Sequence, residues 1–343
     1  MNRSSVRTLA LVGSLGLWLT ACGDDEGDRP SGDGGEEQTI FLGTGTTEAE
    51  AYLVPFLTVG RDMLAEEGIA VEYVVLSSDE AVQAALDRGR IDVAVQSSLG
   101  LQRALSAGLT GRFIAGLQQH NSFPLVVPDD VTDLSQLEGM RVGIEDPTSL
   151  AVTVAELMIR EQGGLEPGTD YEMVSLSGSS NRAAAMQSGS LDAAVLFRAV
   201  GESLEQETNG EFRIHGGLWD VLDPMLWEGI AASDSFLENA ELAETFVAAI
   251  LETNRQFYET DPAELAARKD DYAETALLDL DGLIGDFELW QEIELFPLDG
   301  GVSEEAYESI TELLLDAGQL DEETTVPYED AVDPSVVEGA TSS

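Results

Sequence analysis

From Thr39 the chain alternates between short unbroken apolar runs and longer stretches whose apolar residues recur every three or four positions. This is the pattern of a parallel α/β sheet. Thr39 to Gly43 is predicted as a first strand. Ala49 to Glu67 carries Leu53, Phe56, Leu57 and Leu64 at helical spacing, with Pro55 delaying or kinking the first turn. Ile69 to Leu76 follows as a strand, Asp79 to Arg88 as a helix, and Ile91 to Val95 as a third strand buried on both faces.

The arrangement returns later in the chain. Glu80 to Val95 is similar to Asn181 to Leu196, each reading as helix, glycine turn, then hydrophobic-Asp-small-Ala. Gly89 and Gly189 are placed to end a helix in the left-handed conformation, and Asp92 and Asp192 to open a strand. A repeat of this kind implies two lobes of like topology. Phe123 to Pro128 and Met225 to Ala232 read as the strands that cross between them, a two-strand hinge. Helical patterns at Phe236 to Tyr258, Asp261 to Leu280 and Ser303 to Ala317 are expected to pack on the first lobe, and the tail from Pro327 to run over the surface. The expected layout is a signal at 1–21, a tether at 22–38, a first lobe at 39–126, a second lobe at 127–227, and a helical return to the first lobe with the tail at 228–343.

The N-terminus adds an address. Arg3 and Arg7 precede an apolar run from Leu9 to Leu19, within the roughly 7–15 residues of a secretory signal and short of the ~20 of a membrane span. Leu19-Thr20-Ala21-Cys22 looks like a bacterial lipobox, which makes Cys22 the lipidation site and the first residue after cleavage. Two acyl chains, at about 0.8 kcal/mol per buried methylene, anchor where one does not. Gly23 to Gln38 is rich in Gly, Asp and Glu, too polar to fold, and reads as a flexible tether. The location expected is the outer face of the bacterial cell membrane.

Cys22 is the only cysteine of the 343 residues, so disulfides and thiol catalysis fall away. With 66 acidic against 16 basic residues, the formal charge of −50 argues against nucleic acid as a partner and fits a salt-rich habitat. His120 and His215 are the only histidines and stand in different contexts, which leaves no histidine-rich metal site; no metal or cofactor is expected.

Taken in order, Asp87 to Val95, Asp133 to Gly143, Gln187 to Val195 and Pro327 to Glu338 resemble the SsuA/THI5-like group of sulfonate-, nitrate- and thiamine-precursor-binding proteins. The family's Leu-x-Gly-basic-basic-Val-Gly element reads Leu137-Glu-Gly-Met-Arg-Val-Gly143, one basic residue short. The cysteine-rich motif of the superfamily's pyrimidine synthases is missing. The resemblance implies a two-lobed type II periplasmic-binding-protein fold that holds a small molecule between its lobes, with an ABC permease and ATPase as partners, acting as a monomer and without catalysis. A receptor of a TRAP-type (TAXI-like) importer, a pyrimidine-metabolism enzyme of this fold and a sensory receptor are the alternatives.

Ligands of open α/β sheets sit at the carboxyl ends of strands, beside helix N-termini. The residues just past the predicted strands therefore form the candidate ligand-binding set: Thr44 and Thr46, Gln96 and Ser97, Asn121, Ser122 and Phe123 before the crossing, Thr148 and Ser149, and Phe197. Capping accounts equally well for the hydroxyls. Arg198, Trp219 and Trp227 are further residues near this region.

Overall fold

The computed structural model describes residues 38–45, 60–76, 78–145, 150–268 and 280–342. The expected signal, Cys22, all of the expected tether but Gln38, Thr46, Thr148 and Ser149 lie outside them, as does most of the predicted helix from Ala49.

Two five-stranded sheets share one topology. The first contains β1 (Gln38–Thr44), β2 (Ile69–Val75), β3 (Val93–Ser97), β4 (Arg112–Gln118) and β10 (Glu228–Ala232), in the order β2-β1-β3-β10-β4. The second contains β5 (Pro124–Pro128), β6 (Arg141–Ile144), β7 (Glu172–Ser175), β8 (Ala193–Val195) and β9 (Phe212–Gly217), in the order β7-β6-β8-β5-β9. In each, three parallel strands meet one antiparallel strand from the other half of the chain: β10 lies between β3 and β4, and β5 between β8 and β9.

The repeat is closer than local sequence suggested, because the same strand pairings recur at an offset of 100. Phe41 pairs with Glu72 and Arg141 with Glu172. Asp92 accepts from the Phe41 N–H at 2.9 Å and Asp192 from the Arg141 N–H at 2.8 Å. Both aspartates precede their strands, and each carboxylate ties the incoming chain to the neighbouring strand. The Arg141 guanidinium also grips Asp192 at 2.9 Å and holds its carboxyl below the ordinary range. Gly89 and Gly189 take φ of 60° and 72°, ending α2 (Asp79–Asp87) and α5 (Ser179–Gln187) as left-handed caps. A Cβ on Gly43 would lie 2.4 Å from Ile91 Cδ1, and one on Gly143 2.4 Å from Leu191 Cδ1, so in both copies glycine makes room for the side chain before the next strand.

The helices that follow strands are α1 (Arg61–Glu66), α2, α3 (Ser98–Ser106) and, on the second sheet, α4 (Leu150–Gly163), α5 and α6 (Arg198–Glu207). After β10 come α7 (Asp234–Leu237), α8 (Ala240–Glu259), α9 (Pro262–Ala267), α10 (Leu280–Glu292), α11 (Glu304–Asp316), α12 (Tyr328–Ala331) and α13 (Ser335–Ser342). The predicted helix from Phe236 breaks in two, because Asn239 accepts from the Leu242 N–H and starts α8 anew. Leu242, Phe246, Ile250 and Phe257 of α8 enter the core of the first sheet, where Phe257 meets Phe287 and Phe296 edge to face at 5.5 and 5.0 Å.

Three expectations fail in whole or in part. The helix α10 falls where none was predicted, and the tail from Pro327 does not merely cover the surface. Val332 bridges to Phe113 and Asp333 N–H donates to its carbonyl, while Val336 and Val337 are buried in the first core. The valines at 332, 336 and 337 supply an apolar face that the acidic residues between them obscured. α11 does not belong wholly to the first lobe's core either. Its Ile310 and Leu314 share an apolar cluster with Leu125, Val127 and Val142 of the second sheet, joined by Leu99 from α3.

Candidate functional site

Topology alone brings the carboxyl edges of both sheets together. β4 leaves the first sheet at Gln118 and residues 119–123 lead into β5, whose start lies beside the end of β8. β9 leaves the second sheet at Gly217 and residues 218–227 lead into β10, whose start lies beside the end of β3 through Glu228 and Ser97. The expected crossing strands are thus members of the sheets, β5 of the second and β10 of the first, and the chain changes lobe in the segments just before them.

On the first lobe's edge, Thr44 ends β1 and is buried at 1% exposure. Ser97 caps α3, accepting from the Gly100 N–H at 3.1 Å, which is the capping role its hydroxyl allowed. Ser98, the next residue, donates to the Leu226 carbonyl and fastens α3 to the second crossing. Gln96 is 4% exposed, and its Nε2 has no hydrogen-bond partner.

At the first crossing, Asn121 is 3% exposed; its Oδ1 accepts from the Phe123 N–H at 2.9 Å, which turns Nδ2 outward from that turn, and Nδ2 is also without a partner. Ser122 is buried beside it. A buried amide donor left unmade costs about 1–3 kcal/mol, and two such donors, Gln96 Nε2 and Asn121 Nδ2, stand along this edge. Burial lowers the pKa of neighbouring His120, against the pull of Glu294 and Asp223. His120, Asn121, Trp219 and Trp227 line one small void of about 10 Å³, so both tryptophans pack at the crossings, Trp227 within the second core.

On the second lobe's edge, the Phe197 ring meets Phe123 edge to face at 4.9 Å, which joins two of the predicted residues across β8 and β5. The Phe197 N–H donates to Ser179 Oγ at 3.0 Å. Ser179 Oγ in turn accepts from Arg182, a residue the strand-end reading passed over. Arg182 is 3% exposed, and its guanidinium donates to the carbonyls of Val195 and Leu176 at 2.9 Å each and to Ser179 at 3.0 Å, with Glu145 at 3.5 Å as its rim counter-ion. It thereby fastens the ends of β7 and β8 and sets a positive charge behind the edge. The offset of 100 would have found it: the same position in the first copy is Val82, fully buried in the core. Arg198 pairs instead with Glu202 one turn on, at 2.6 Å.

The helix starts show the same bias. α7, α8, α9, α11, α12 and α13 each carry an acid in the first turn, as the helix dipole favours. α3, α4, α5 and α6, which start from the carboxyl edges of the sheets, carry none. In a chain of 66 acids that leaves four of the helices that follow strands without an acid in the first turn; α1, with Asp62, and α2, with the exposed Glu80, are the exceptions.

Residues 56–269 match the family model described as ABC transporter, phosphonate, periplasmic substrate-binding protein. The chain belongs to the phosphonate-binding family of ABC-transporter periplasmic substrate-binding proteins. As a member of that family it is the small-molecule receptor of an ABC importer, whose permease and ATPase are its partners. Its fold is similar to that of a zinc-bound ligand-binding component of an ABC-type import system from Staphylococcus aureus, with TM-score 0.69, 18% identity, and 89% of this chain and 100% of that one covered. It is similar also to a putative sulfonate-binding SsuA of Methylobacillus flagellatus KT (0.65, 17%, 90% and 94%) and to the nitrate-binding NrtA of Synechocystis PCC 6803 (0.67, 14%, 90% and 89%). At these identities the likeness is one of fold. Comparison with curated proteins gives no match. Among this receptor's described residues no group of three or more His, Cys, Asp or Glu side chains is placed to hold a metal ion, and no helix is long and apolar enough to cross a membrane.

Proposed function

We propose that this family member captures a small oxyanion-bearing solute of the phosphonate, sulfonate or nitrate type between its lobes. The observation that carries the reading is the pair of buried, unpartnered amide donors, Gln96 Nε2 and Asn121 Nδ2. Thr44, Thr46, Ser97, Ser122, Thr148, Ser149 and Phe197 are proposed to complete the contacts, with Phe123 and Phe197 as an aromatic wall. The helix starts free of acid favour a negative group there, and Arg182 adds its charge from behind. The hinge is proposed at residues 119–123 and 218–227, between lobes divided near the boundaries given by the sequence. Moving such an equilibrium from 1:99 to 99:1 takes ~5.5 kcal/mol of preference for the closed state.

The receptor is proposed to act as a monomer that releases its ligand unchanged. Small-angle scattering in molar salt, with methylphosphonate, ethanesulfonate and nitrate added in turn, tests capture by closure. One of them is expected to reduce the radius of gyration at saturation and to be recovered intact. Equal radii with a compound shown to bind, or its conversion to product, would remove the closure or the receptor reading respectively.

Anchoring at Cys22 is proposed from the lipobox. The wild-type chain is expected in the membrane fraction of a bacterial host and Cys22→Ser in the soluble extracytoplasmic fraction. Equal partition of the two would refute lipidation.

A further inference from the structure

The two copies of the repeat agree inside the strands and part company where the strands end. At the offset of 100, Gly43 and Gly143, Asp92 and Asp192, Ala94 and Ala194, and Val95 and Val195 are identical. Just beyond, Thr44 stands against Ile144, Gln96 against Leu196 and Ser97 against Phe197. Three polar side chains at the carboxyl edge of the first sheet are thus replaced by three apolar ones on the second.

The exchange changes what each edge offers a solute. On the first, Gln96 Nε2 stands without a partner, and Asn121 Nδ2 does so at the neighbouring crossing. On the second, Ile144 and Leu196 are 2% and 0% exposed, and Leu196 closes a core with Val126 and Ala194. Of the three, Phe197 alone reaches the surface, as a half-buried ring set edge to face against the half-buried ring of Phe123 at 4.9 Å. Backbone anchors fix both rings: the Phe123 N–H donates to Asn121 Oδ1 at 2.9 Å and the Phe197 N–H to Ser179 Oγ at 3.0 Å. Because one turn places both the Phe123 ring and Asn121 Nδ2, the donors and the aromatic corner adjoin at the first crossing. The arginines of the second edge are spent, Arg198 on Glu202 and Arg182 on two carbonyls and Ser179. Glu145, where the first copy has Gly45, stands 3.5 Å from Arg182 and offsets its charge.

We propose that the captured solute is two-ended: its oxyanion head meets the amide donors of the first lobe, and an apolar substituent, best an aromatic ring, lies against Phe197 and Phe123 of the second. This rests on the oxyanion reading above and narrows it to organic oxyanions. An anion with no substituent leaves the aromatic corner in water and gains nothing from it. A third ring placed edge to face or offset on the pair gains both apolar burial and the ring-to-ring term. Phe197 is then the residue that selects the substituent, at the position where Ser97 serves the first copy as a plain helix cap.

Titration calorimetry in molar salt tests this with two pairs that share a head, phenylphosphonate against methylphosphonate and benzenesulfonate against methanesulfonate. In the pair whose head binds, the phenyl member is expected to be at least about tenfold tighter on the wild type. Phe197→Ser installs the first copy's residue and gives α6 the side-chain cap it lacks, with circular dichroism reporting the fold. Its phenyl-to-methyl affinity ratio is expected to fall toward one. Phe123→Leu, which keeps an apolar side chain but not the ring, is expected to lower the ratio as well. Gln96→Met, on the head side, is expected to weaken both members and keep the ratio. Phenyl members no tighter than their methyl partners would overturn the two-ended solute and leave the oxyanion reading standing, whereas no binding by any of the four would overturn both. An unchanged ratio in Phe197→Ser and Phe123→Leu would place the substituent away from the aromatic corner, and a ratio lost in Gln96→Met would contradict the polarity assigned to the cleft.

Discussion

Asn121→Asp combined with Gln96→Met is expected to abolish oxyanion capture, with a loss of stability from the carboxylate placed at a site 3% exposed. The two substitutions act on donors that have no partner in the unliganded protein. Methionine fills the volume of glutamine and removes the uncompensated Nε2, so Gln96→Met relieves a desolvation cost instead of adding one. Aspartate at 121 retains the acceptor that the Phe123 N–H needs, and the turn keeps its hydrogen bond. It replaces the outward donor with an anionic oxygen. A hydrogen bond to a charged group contributes about 1.5–3 kcal/mol, so losing two costs roughly 10²- to 10⁴-fold in affinity before repulsion is counted. Titration calorimetry against the tightest-binding of the three anions reads the loss, and urea unfolding in molar salt reads the stability. Wild-type affinity in the double variant would show that these amides do not meet the ligand.

Arg182→Met is expected to be the most destabilising single exchange on the second lobe's edge. Methionine has the length of the arginine stem but none of its donors. The carbonyls of Val195 and Leu176 and the hydroxyl of Ser179 would each lose the donor that now lies at 2.9, 2.9 and 3.0 Å. At about 1–3 kcal/mol for each buried group left unmade, with partial relief from water at the rim, the loss is about 3 kcal/mol. Ser179 also holds the Phe197 N–H, so the Phe123 to Phe197 contact should loosen and ligand affinity fall with stability. A lowered urea midpoint at unchanged slope is the expected readout. Val82→Met, the same position in the other copy, is an overpacking control expected to cost about 1–3 kcal/mol without touching any polar group. Stability of Arg182→Met equal to that of wild type would mean that the guanidinium is not the fastener of β7 and β8.

Much of this architecture is visible in the sequence because its repeat is written in residues with backbone duties. Gly89 and Gly189 stand out since only glycine relaxes at their φ, and Asp92 and Asp192 since each fixes the turn into a strand. The strand-end rule reached Gln96, Asn121, Phe123 and Phe197 because it needs only the order of strands. Arg182 escaped it by lying a turn inside α5 and reaching back to the strand ends with a long side chain, a displacement that strand positions do not encode. α10 was hidden by Gly282 and Gly285, which lower helix propensity. A Cβ on Gly285 would lie 3.2 Å from Glu202 Oε2, a tertiary contact that local pattern does not encode. The tail was misjudged from its acidic residues, although three valines at near-helical spacing carry its burial.

The measurement that bears most directly on the account is a thermal-shift and calorimetric titration of the chain from Gly23 onward, in molar salt, against methylphosphonate, ethanesulfonate and nitrate, with choline and glucose as cationic and neutral comparisons. A ligand at ~100 times its dissociation constant stabilises by about 2.7 kcal/mol, enough for a clear shift. The account predicts stabilisation by at least one of the anions, lost in the Gln96→Met, Asn121→Asp variant, and none by choline. Stabilisation by choline or glucose, with all three anions silent on folded protein, would contradict it.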